Sequence, residues 1–422
     1  MGKAFVMAME VVSPIGVSLE KHMDGIRSGR SGSAPIIRFD ASGFRTNFAC
    51  EVREDLSPLL AGLPASIKTV LPFDRKLELF CAALEMLYPK TAAKMAAVSP
   101  ERTGVFIGAG METNSQDPII RFSHLSDRQL LEEMFRQNRM FPYVNTYFNP
   151  SHLATLQCAV RFSSRGIRQT NISACAASTQ SLGAAALAVA QGTCDAAIVG
   201  GCDSTINPFI LTAFLQLDML STRNDSPQTA SRPFDRGRDG FVPGEGAGVV
   251  ILTNERVAQK WGDPLAVVAG YGSSLDGYKI TAPHPQGLGA VLAMRRALAS
   301  AGWPPESVDY VNAHGTSTPL NDAVESNALR QVFGDALSRI AVSSTKSQIG
   351  HLIAAGGIVE FISVVAAMRE GILPPSINVE RQDRACPLNL VREPGVRRPI
   401  RRAISNSFAL AGQNATVAIE AI

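Results

Sequence analysis

The chain has almost no excess of charge of either sign. Its 40 Lys and Arg residues oppose 37 Asp and Glu residues, which leaves a formal net charge of +3 over 422 residues. A protein that binds nucleic acid by bulk electrostatics needs a basic excess, and this sequence has none. We therefore predict no nucleic-acid partner.

The sequence also lacks long apolar runs and paired cysteine motifs. No stretch is long and apolar enough to cross a bilayer as a helix, and the opening MGKAFVMAMEVVSPIG has no sustained apolar segment of the kind found in signal peptides. The seven cysteines are odd in number and form no CxxC pattern, which favours reduced thiols. These absences predict a cytoplasmic protein with no membrane partner.

What the sequence does contain is the composition of a compact globular protein, with 45% apolar and 18% charged residues. One pattern occurs twice within it: a strand leads into a small-residue helix near residue 175, and residues 340–344 lead into a similar helix over 350–369. The repeat predicts an α/β fold of two similar β/α halves, residues 1–262 and 263–422, whose helices begin near a shared centre. No flexible linker separates the halves, so we expect one rigid body.

Cys175 occupies the junction in the first copy of this pattern. Residues 171–173 have the composition of the end of a short buried strand, and residues 176–191 that of a helix buried on most faces, closed by Gly192. Unpaired N–H groups at the start of a helix favour a thiolate, and a thiolate is a nucleophile. A single cysteine in an Ala-rich core is more often a packing residue, so the rest of the chain has to decide between the two interpretations.

Two further polar segments follow predicted strands in the second half. The segment NAHGTST contains His314, and the segment STKSQIGH contains Lys346 and His351. With Cys175 they bring a thiol, two imidazoles and an ammonium to strand ends, where α/β sheets carry functional residues. Each of these side chains alone is more often structural. Their joint occurrence favours a catalytic site.

Longer ordered motifs extend along the whole chain. They are LSTRND (220–225), SRPFDRGRDGFVPGEGAG (231–248), NAHGTSTP (312–319), SSTKSQIGH (343–351), NSF (406–408) and GQNA (412–415). In these motifs the sequence strongly resembles the β-ketoacyl-acyl carrier protein synthases, in particular the discrete bacterial KAS I/II type. The resemblance implies the thiolase-like fold, with the two halves packed as α-β-α-β-α layers, and a dimer.

The resemblance also implies roles for individual residues. Cys175 matches the nucleophile that takes an acyl group from a carrier-protein thioester. His314 and His351 match the pair that hydrogen-bonds the malonyl thioester carbonyl and assists its decarboxylation, for which neutral imidazoles in a desolvated pocket are suited. Lys346 matches the family's lysine and is expected to organise the site through Glu360.

Further residues match the substrate-binding positions of the family. Thr316 and Thr318 match threonines that bind the pantetheine arm, and Phe408 belongs to the loop beside the acyl pocket. The resemblance places an oxyanion hole at the backbone N–H groups of Cys175 and Leu410. No metal is implied, and no cofactor beyond the phosphopantetheine of the acyl carrier protein.

The sequence departs from the family at three places. The loop that commonly reads NSFGFGG reads NSFALAG, so that Leu410 replaces the gating aromatic residue and Ala409 and Ala411 replace glycines, which restricts the backbone. Met111, followed by a carboxylate, replaces an Ile-Gly-Gly segment near the acyl pocket. Asp218 stands where a basic carrier-docking residue is common. These differences favour a specialised acyl chain and pathway.

The leading hypothesis is an enzyme that condenses an acyl thioester with malonyl-acyl carrier protein to give 3-oxoacyl-acyl carrier protein, in fatty acid or, more in keeping with the departures, polyketide or polyene synthesis. One alternative is a non-decarboxylating thioester acyltransferase or hydrolase on the same fold. The other is a non-catalytic partner like the chain-length factors. The expected partners are acyl carrier protein and a second copy of the chain, with a heterodimer with a chain-length-factor-like subunit left open.

Overall fold

The computed structural model describes residues 2–111 and 151–422, together with residues 126, 128, 129, 132 and 136. The irregular segment predicted between Glu112 and Pro150 lies outside the described residues, apart from those five positions.

Strands of the described chain form one large mixed sheet and one small hairpin. Their bounds are β1 Ala4–Ser13, β2 Gly16–Val17, β3 Ser33–Pro35, β4 Phe48–Cys50, β5 Thr103–Ala109, β6 Arg168–Asn171, β7 Ala196–Ser204, β8 Glu245–Thr253, β9 Ala266–Leu275, β10 Tyr310–Asn312, β11 Ala341–Ser343, β12 Arg402–Phe408 and β13 Gln413–Glu420. The large sheet has the order β11-β10-β12-β13-β9-β1-β8-β7-β5-β6, with β2 beside β1, and β3 pairs with β4.

This strand order contains an internal repeat. From one end it reads β6-β5-β7-β8-β1, and from the other end β11-β10-β12-β13-β9, which is the same sequence of positions within each half. Parallel pairs come first and antiparallel pairs follow in both halves. A short antiparallel pairing of β1 with β9 joins the halves. The predicted boundary at 262/263 falls just before β9, after the helix that ends at Trp261.

Helices cover both faces of each half-sheet. Their bounds are α1 Leu19–Ser28, α2 Ser57–Leu60, α3 Ala65–Lys68, α4 Arg75–Met95, α5 Leu153–Arg161, α6 Ala177–Ala190, α7 Pro208–Gln216, α8 Glu255–Trp261, α9 Leu288–Ala301, α10 Pro319–Phe333, α11 Lys346–Ile349 and α12 Gly356–Glu370. In the part of the chain that the structure covers, none of these helices has the length and apolarity to cross a membrane.

The halves stack as predicted, in α-β-α-β-α layers. In β7, Ala197 and Val199 face a core shared with α6 and α12, whereas Ala196 and Ile198 face a separate core built on α4 and α5. β12 alternates in the same way between the shared core and the outer helices α9 and α10. Both faces of each half-sheet are therefore buried, which explains the continuous apolar runs of these strands. The central helices α6 and α12 begin side by side, and the Ser178 hydroxyl accepts the Ile358 N–H at 2.9 Å.

One expectation about the first half was wrong. The strand before Cys175 was expected to be buried, but β6 lies at the end of the sheet and has β5 as its single neighbour within the described chain. Its residues Arg168 and Gln169 are exposed, and the side chain of Ile172 beyond it is 51% exposed. An apolar residue beside a strand does not reveal whether that strand is central or at an edge, because that depends on strand order.

His22 makes the stability of this fold depend on pH. Its ring lies between the hydroxyls of Ser13 (2.7 Å) and Ser363 (2.8 Å), and burial, reinforced by Arg30, lowers the pKa of His22 to about 3. The unfolded chain binds this proton more readily, so the stabilisation is complete above the ordinary pKa of 6.5 and is lost as the pH falls towards 3.

We expect the contribution of His22 to the free energy of unfolding to fall by about 2 kcal/mol between pH 7 and pH 5. Urea unfolding at the two pH values, compared with His22→Gln, measures it, because Gln keeps a donor and an acceptor but does not titrate. Equal pH dependence in the two proteins would contradict the assignment.

Candidate active site

Cys175 lies in a sharp turn between the edge strand and the central helix α6. The turn is a short 3₁₀ segment, Ala174–Ala176, and Ala174 adopts the left-handed region at φ 47°. A strained strand-to-helix turn of this kind presents its nucleophile at the end of the sheet. The Cys175 side chain is buried, and its sulfur faces a cavity instead of packing into the core.

His351 lies within hydrogen-bond distance of this sulfur. Its Nε2 lies 3.1 Å from Cys175 Sγ, and its Nδ1 accepts the backbone N–H of Ile353 at 3.3 Å. Because Nδ1 is an acceptor, the neutral ring carries its proton on Nε2. His351 therefore directs an N–H donor at the sulfur.

His314 completes a three-membered cluster. Its ring centroid lies 5.3 Å from that of His351, and the two rings meet edge to face at 81°. Backbone N–H groups of His314 and Gly315 donate to the two carboxylate oxygens of Glu325, at 2.8 and 2.7 Å, and so hold the loop that carries the ring. Within the described part of the chain, His314 Nδ1 has no hydrogen-bond partner, so the ring keeps a free polar atom inside the protein.

Both imidazoles are neutral at physiological pH. Burial lowers the pKa of His314 well below its ordinary value, and the charge of Lys346 and the neighbouring His351 lower it further. Burial and Lys346 act in the same direction on the pKa of His351. Neutral rings with N–H groups can donate to a negatively charged oxygen without first losing a charge of their own.

Lys346 and Glu360 form a buried ion pair beside the cluster. Their Nζ and Oε1 atoms lie 2.5 Å apart, and the two side chains are 2% and 0% exposed. Burial raises the pKa of Glu360, and the charge of Lys346 opposes that shift. The pair extends from α11 to α12 and places a fixed positive charge near the thiol and both rings.

The sulfur itself differs from the sequence-based expectation. The backbone N–H groups of Cys175 and Leu410 both hydrogen-bond to it and, with Lys346, favour the thiolate, but burial is the stronger effect and raises the pKa of Cys175 to about 12. Asp203 adds to this increase. The resting group is therefore a thiol, because the effect of burial outweighs that of the surrounding donors.

A cavity of about 370 Å³ leads to the cluster. Thr316 and Thr318 line it, with their hydroxyl oxygens 2.9 Å apart, and Phe408 and Leu410 line it as well. Met111 does not line this cavity, and its side chain is 63% exposed. The residues that follow Met111 lie outside the described chain, so its predicted contact with substrate stays a prediction.

The loop over residues 409–412 is restrained at the position that carries alanine. Ala411 has φ 60° and ψ 18°, a left-handed conformation that glycine adopts at lower cost, and its N–H donates to the carbonyl of Ile280 at 2.7 Å.

At the mouth of the cavity, Asp218 pairs with Arg45 at 2.9 Å, so this carboxylate is balanced by a cation.

Sequence reasoning missed three residues of the site: Glu325, Asp203 and Phe241. Phe241 meets the His351 ring edge to face at 5.3 Å, and Asp203 accepts the Ala354 N–H next to the His351 turn at 3.0 Å. Glu325 had a usable signal, since it lies three residues after Asp322 on one face of a helix that follows the NAHGTSTP motif. Nothing in the local sequence marks the other two.

The cluster also has the spacing of a metal site. The ligand atoms of Cys175, His314 and His351 lie within 4.8 Å of one another, and zinc binds these donor types. Lys346, however, brings a positive charge to all three groups, which opposes a cation there. We therefore keep the prediction of a site that works without metal.

Comparison with known proteins gives the class of this site. The family model for the N-terminal domain of β-ketoacyl synthases matches residues 3–258, and the model for the C-terminal domain matches residues 265–380. Among solved structures, a type II polyketide ketosynthase in complex with its acyl carrier protein is similar at a TM-score of 0.87 and 25% identity, with 100% of both chains covered. The ishigamide ketosynthase/chain length factor is similar at a TM-score of 0.84 and 29% identity, and the match covers 100% of this chain and 99% of that one.

Curated relatives agree with this class. The 3-oxoacyl-[acyl-carrier-protein] synthase 2 of Coxiella burnetii is 34% identical, over 100% of this chain and 99% of the relative. The enzyme of the same name from Synechocystis sp. is 36% identical, over 99% of this chain and 98% of the relative. The protein therefore has the thiolase-like ketosynthase fold, and it belongs to the β-ketoacyl synthase family of acyltransferases.

Proposed function

We propose that the protein catalyses decarboxylative condensation of an acyl thioester with malonyl-acyl carrier protein. The sulfur of Cys175 attacks the acyl thioester, the bond to the carrier sulfur breaks, and the thiol proton passes to the departing carrier thiol, which leaves Cys175 acylated. Malonyl thioester then loses carbon dioxide, and the electron pair of the broken C–C bond forms an enolate. Its carbon attacks the acyl carbonyl, the bond to the Cys175 sulfur breaks to release 3-oxoacyl-acyl carrier protein, and the sulfur takes up a proton from water to restore the thiol.

The observation that carries this proposal is the cluster of one buried thiol and two neutral imidazoles at the end of one cavity. An acyltransferase needs the thiol and an oxyanion hole, but it has no need for a second imidazole donor. His314, a neutral imidazole that lines the cavity and meets the His351 ring edge to face, is suited to donate to the enolate oxygen that decarboxylation creates. The cluster therefore favours condensation over simple acyl transfer, and over a non-catalytic partner.

Acyl carrier protein is the proposed partner, and no separate cofactor takes part, because phosphopantetheine carries both acyl groups. The names of the curated relatives and the carrier-bound ketosynthase structure support this. Thr316 and Thr318 are proposed to hold the pantetheine arm in the cavity. Ala411 and Leu410, which restrain and reshape the loop, support a specialised polyketide or polyene pathway.

A homodimer formed along β6 is proposed as the working assembly. Among the described residues β6 pairs on one side only, with β5, and apolar side chains around it are exposed: Leu156 (43%), Val160 (63%), Ile167 (42%) and Ile172 (51%). Exposed apolar patches beside an unpaired strand are typical of protein interfaces. A related chain-length-factor-like subunit would fit the same edge.

The seven cysteines are all free, which supports a cytoplasmic location.

Intact-mass analysis with acyl carriers and malonyl carrier tests the function. We expect an acyl adduct on the wild-type protein, release of carbon dioxide and a 3-oxoacyl product, and none of the three with Cys175→Ala. Cys194→Ala, which removes a buried thiol at the far end of α6, is the matched control and is expected to behave like wild type. An adduct without carbon dioxide would favour the acyltransferase, and no adduct would favour the non-catalytic partner.

A further inference from the structure

Asp203 is a buried carboxylate that the proposed reaction does not use. It is the penultimate residue of β7, and its side chain is 3% exposed. One carboxylate oxygen accepts the N–H of Ser204 at 2.8 Å, and the other accepts the N–H of Ala354 at 3.0 Å. The second bond connects residues 151 positions apart and ties the first half of the chain to the turn after His351.

That turn is strained. Ile353 has φ 44°, in the left-handed region that a β-branched residue adopts only when its surroundings enforce it. Two consecutive N–H groups of the turn have separate acceptors: Ile353 donates to His351 Nδ1, and Ala354 donates to Asp203. The two N–H groups belong to consecutive peptide units, so their directions are coupled. The hydrogen bond from Ala354 to Asp203 therefore helps to set the direction of the Ile353 N–H towards His351.

The space around Asp203 is tightly closed. A Cβ atom on Gly110 would lie 2.1 Å from Asp203 Oδ1, so the β5 end packs its backbone directly against the carboxylate. Burial raises the pKa of Asp203 to about 6; the two backbone N–H groups and Lys76 oppose this increase, and Asp74 adds to it. Lys76 itself pairs with Asp74 at 3.1 Å, both of them buried. Asp203 is thus held in one orientation, with Oδ1 towards the Ser204 N–H and Oδ2 towards the turn.

We propose that Asp203 is a positioning residue for His351: its carboxylate holds the strained Ile353–Ala354 turn, and that turn keeps the His351 proton on Nε2, facing Cys175. The inference deepens the proposed function, since a donor at Nε2 is what the condensation requires of this ring. If the turn relaxes, Nδ1 loses its N–H partner, and both neutral tautomers become accessible.

The test is ¹⁵N NMR of the histidine rings, which needs no substrate. The chain has six histidines, and the His351 signals are identified by their absence in His351→Gln. We expect one Nε2–H tautomer in the wild type and a mixture in Asp203→Asn, an isosteric change that puts an N–H donor against one of the two backbone N–H groups. With substrates, we expect kcat to fall about tenfold or more in this variant.

Asp309→Asn is the matched control, because the Asp309 carboxylate also accepts two backbone N–H groups, those of Arg401 and Arg402, away from the cavity. It is expected to lower stability without changing the His351 tautomer or kcat. A wild-type tautomer in a folded Asp203→Asn protein would overturn the proposal. The tautomer result holds whichever reaction the protein performs, so it fails or succeeds independently of the condensation assay.

Discussion

Replacing Glu360 with Gln is expected to lower the free energy of unfolding by about 3–5 kcal/mol, since it leaves the Lys346 ammonium buried without a counter-charge. The pair is 2.5 Å long, and both side chains are almost completely inaccessible to water. In a water-poor interior an ion pair is roughly balanced against its desolvation, whereas a single charge is not. The expected loss of unfolding free energy therefore comes from the Lys346 ammonium, which stays buried without a partner.

Urea unfolding of the single and double variants measures this effect. The double replacement Lys346→Met with Glu360→Gln is expected to recover most of the lost stability, because it removes the isolated charge. Glu420→Gln is the control, because the Glu420 carboxylate pairs with Lys3 at 3.7 Å and with Arg402 at 3.6 Å within reach of water, and it is expected to cost less than about 1 kcal/mol. A Glu360→Gln protein as stable as the wild type would show that the pair carries no charge.

Replacing His314 with Ala is expected to reduce decarboxylation of malonyl carrier about 10²–10³-fold, which is the usual effect of removing one donor to a developing oxyanion. Acylation of Cys175 is expected to continue, because the N–H groups of Cys175 and Leu410 and the His351 ring still surround the sulfur. The two half-reactions should therefore separate in one variant.

Carbon dioxide release and intact mass, measured on the same sample, check this separation. His152→Ala removes an exposed imidazole and is expected to leave both half-reactions at the wild-type level. Equal losses of acylation and decarboxylation in His314→Ala would mean that the two histidines do not divide the roles as proposed.

Much of the site could be predicted from short motifs at strand ends. Cys175, His314 and His351 come from three separate segments, and each segment follows a strand. The strands before the two histidines, β10 and β11, are neighbours, whereas β6 lies at the opposite end of the sheet, so the packing of the two halves brings Cys175 to the histidines. The repeated strand-to-helix pattern likewise predicted two similar halves, because each half buries its own sheet between helices. A sequence pattern is sufficient to predict a structural feature when that feature depends on residues that lie close together in the chain.

The sequence by itself thus determined the family and the layered fold, and it singled out the residues proposed as reacting groups. The tertiary structure alone decided the exposed position of β6, the thiol state of Cys175, the tautomer of His351, and the contacts of Glu325 and Asp203. Strand order, burial and hydrogen bonds between distant segments depend on how the halves pack. A pKa and a tautomer are set by the solvent and partners around a group, and these exist only once the chain has folded.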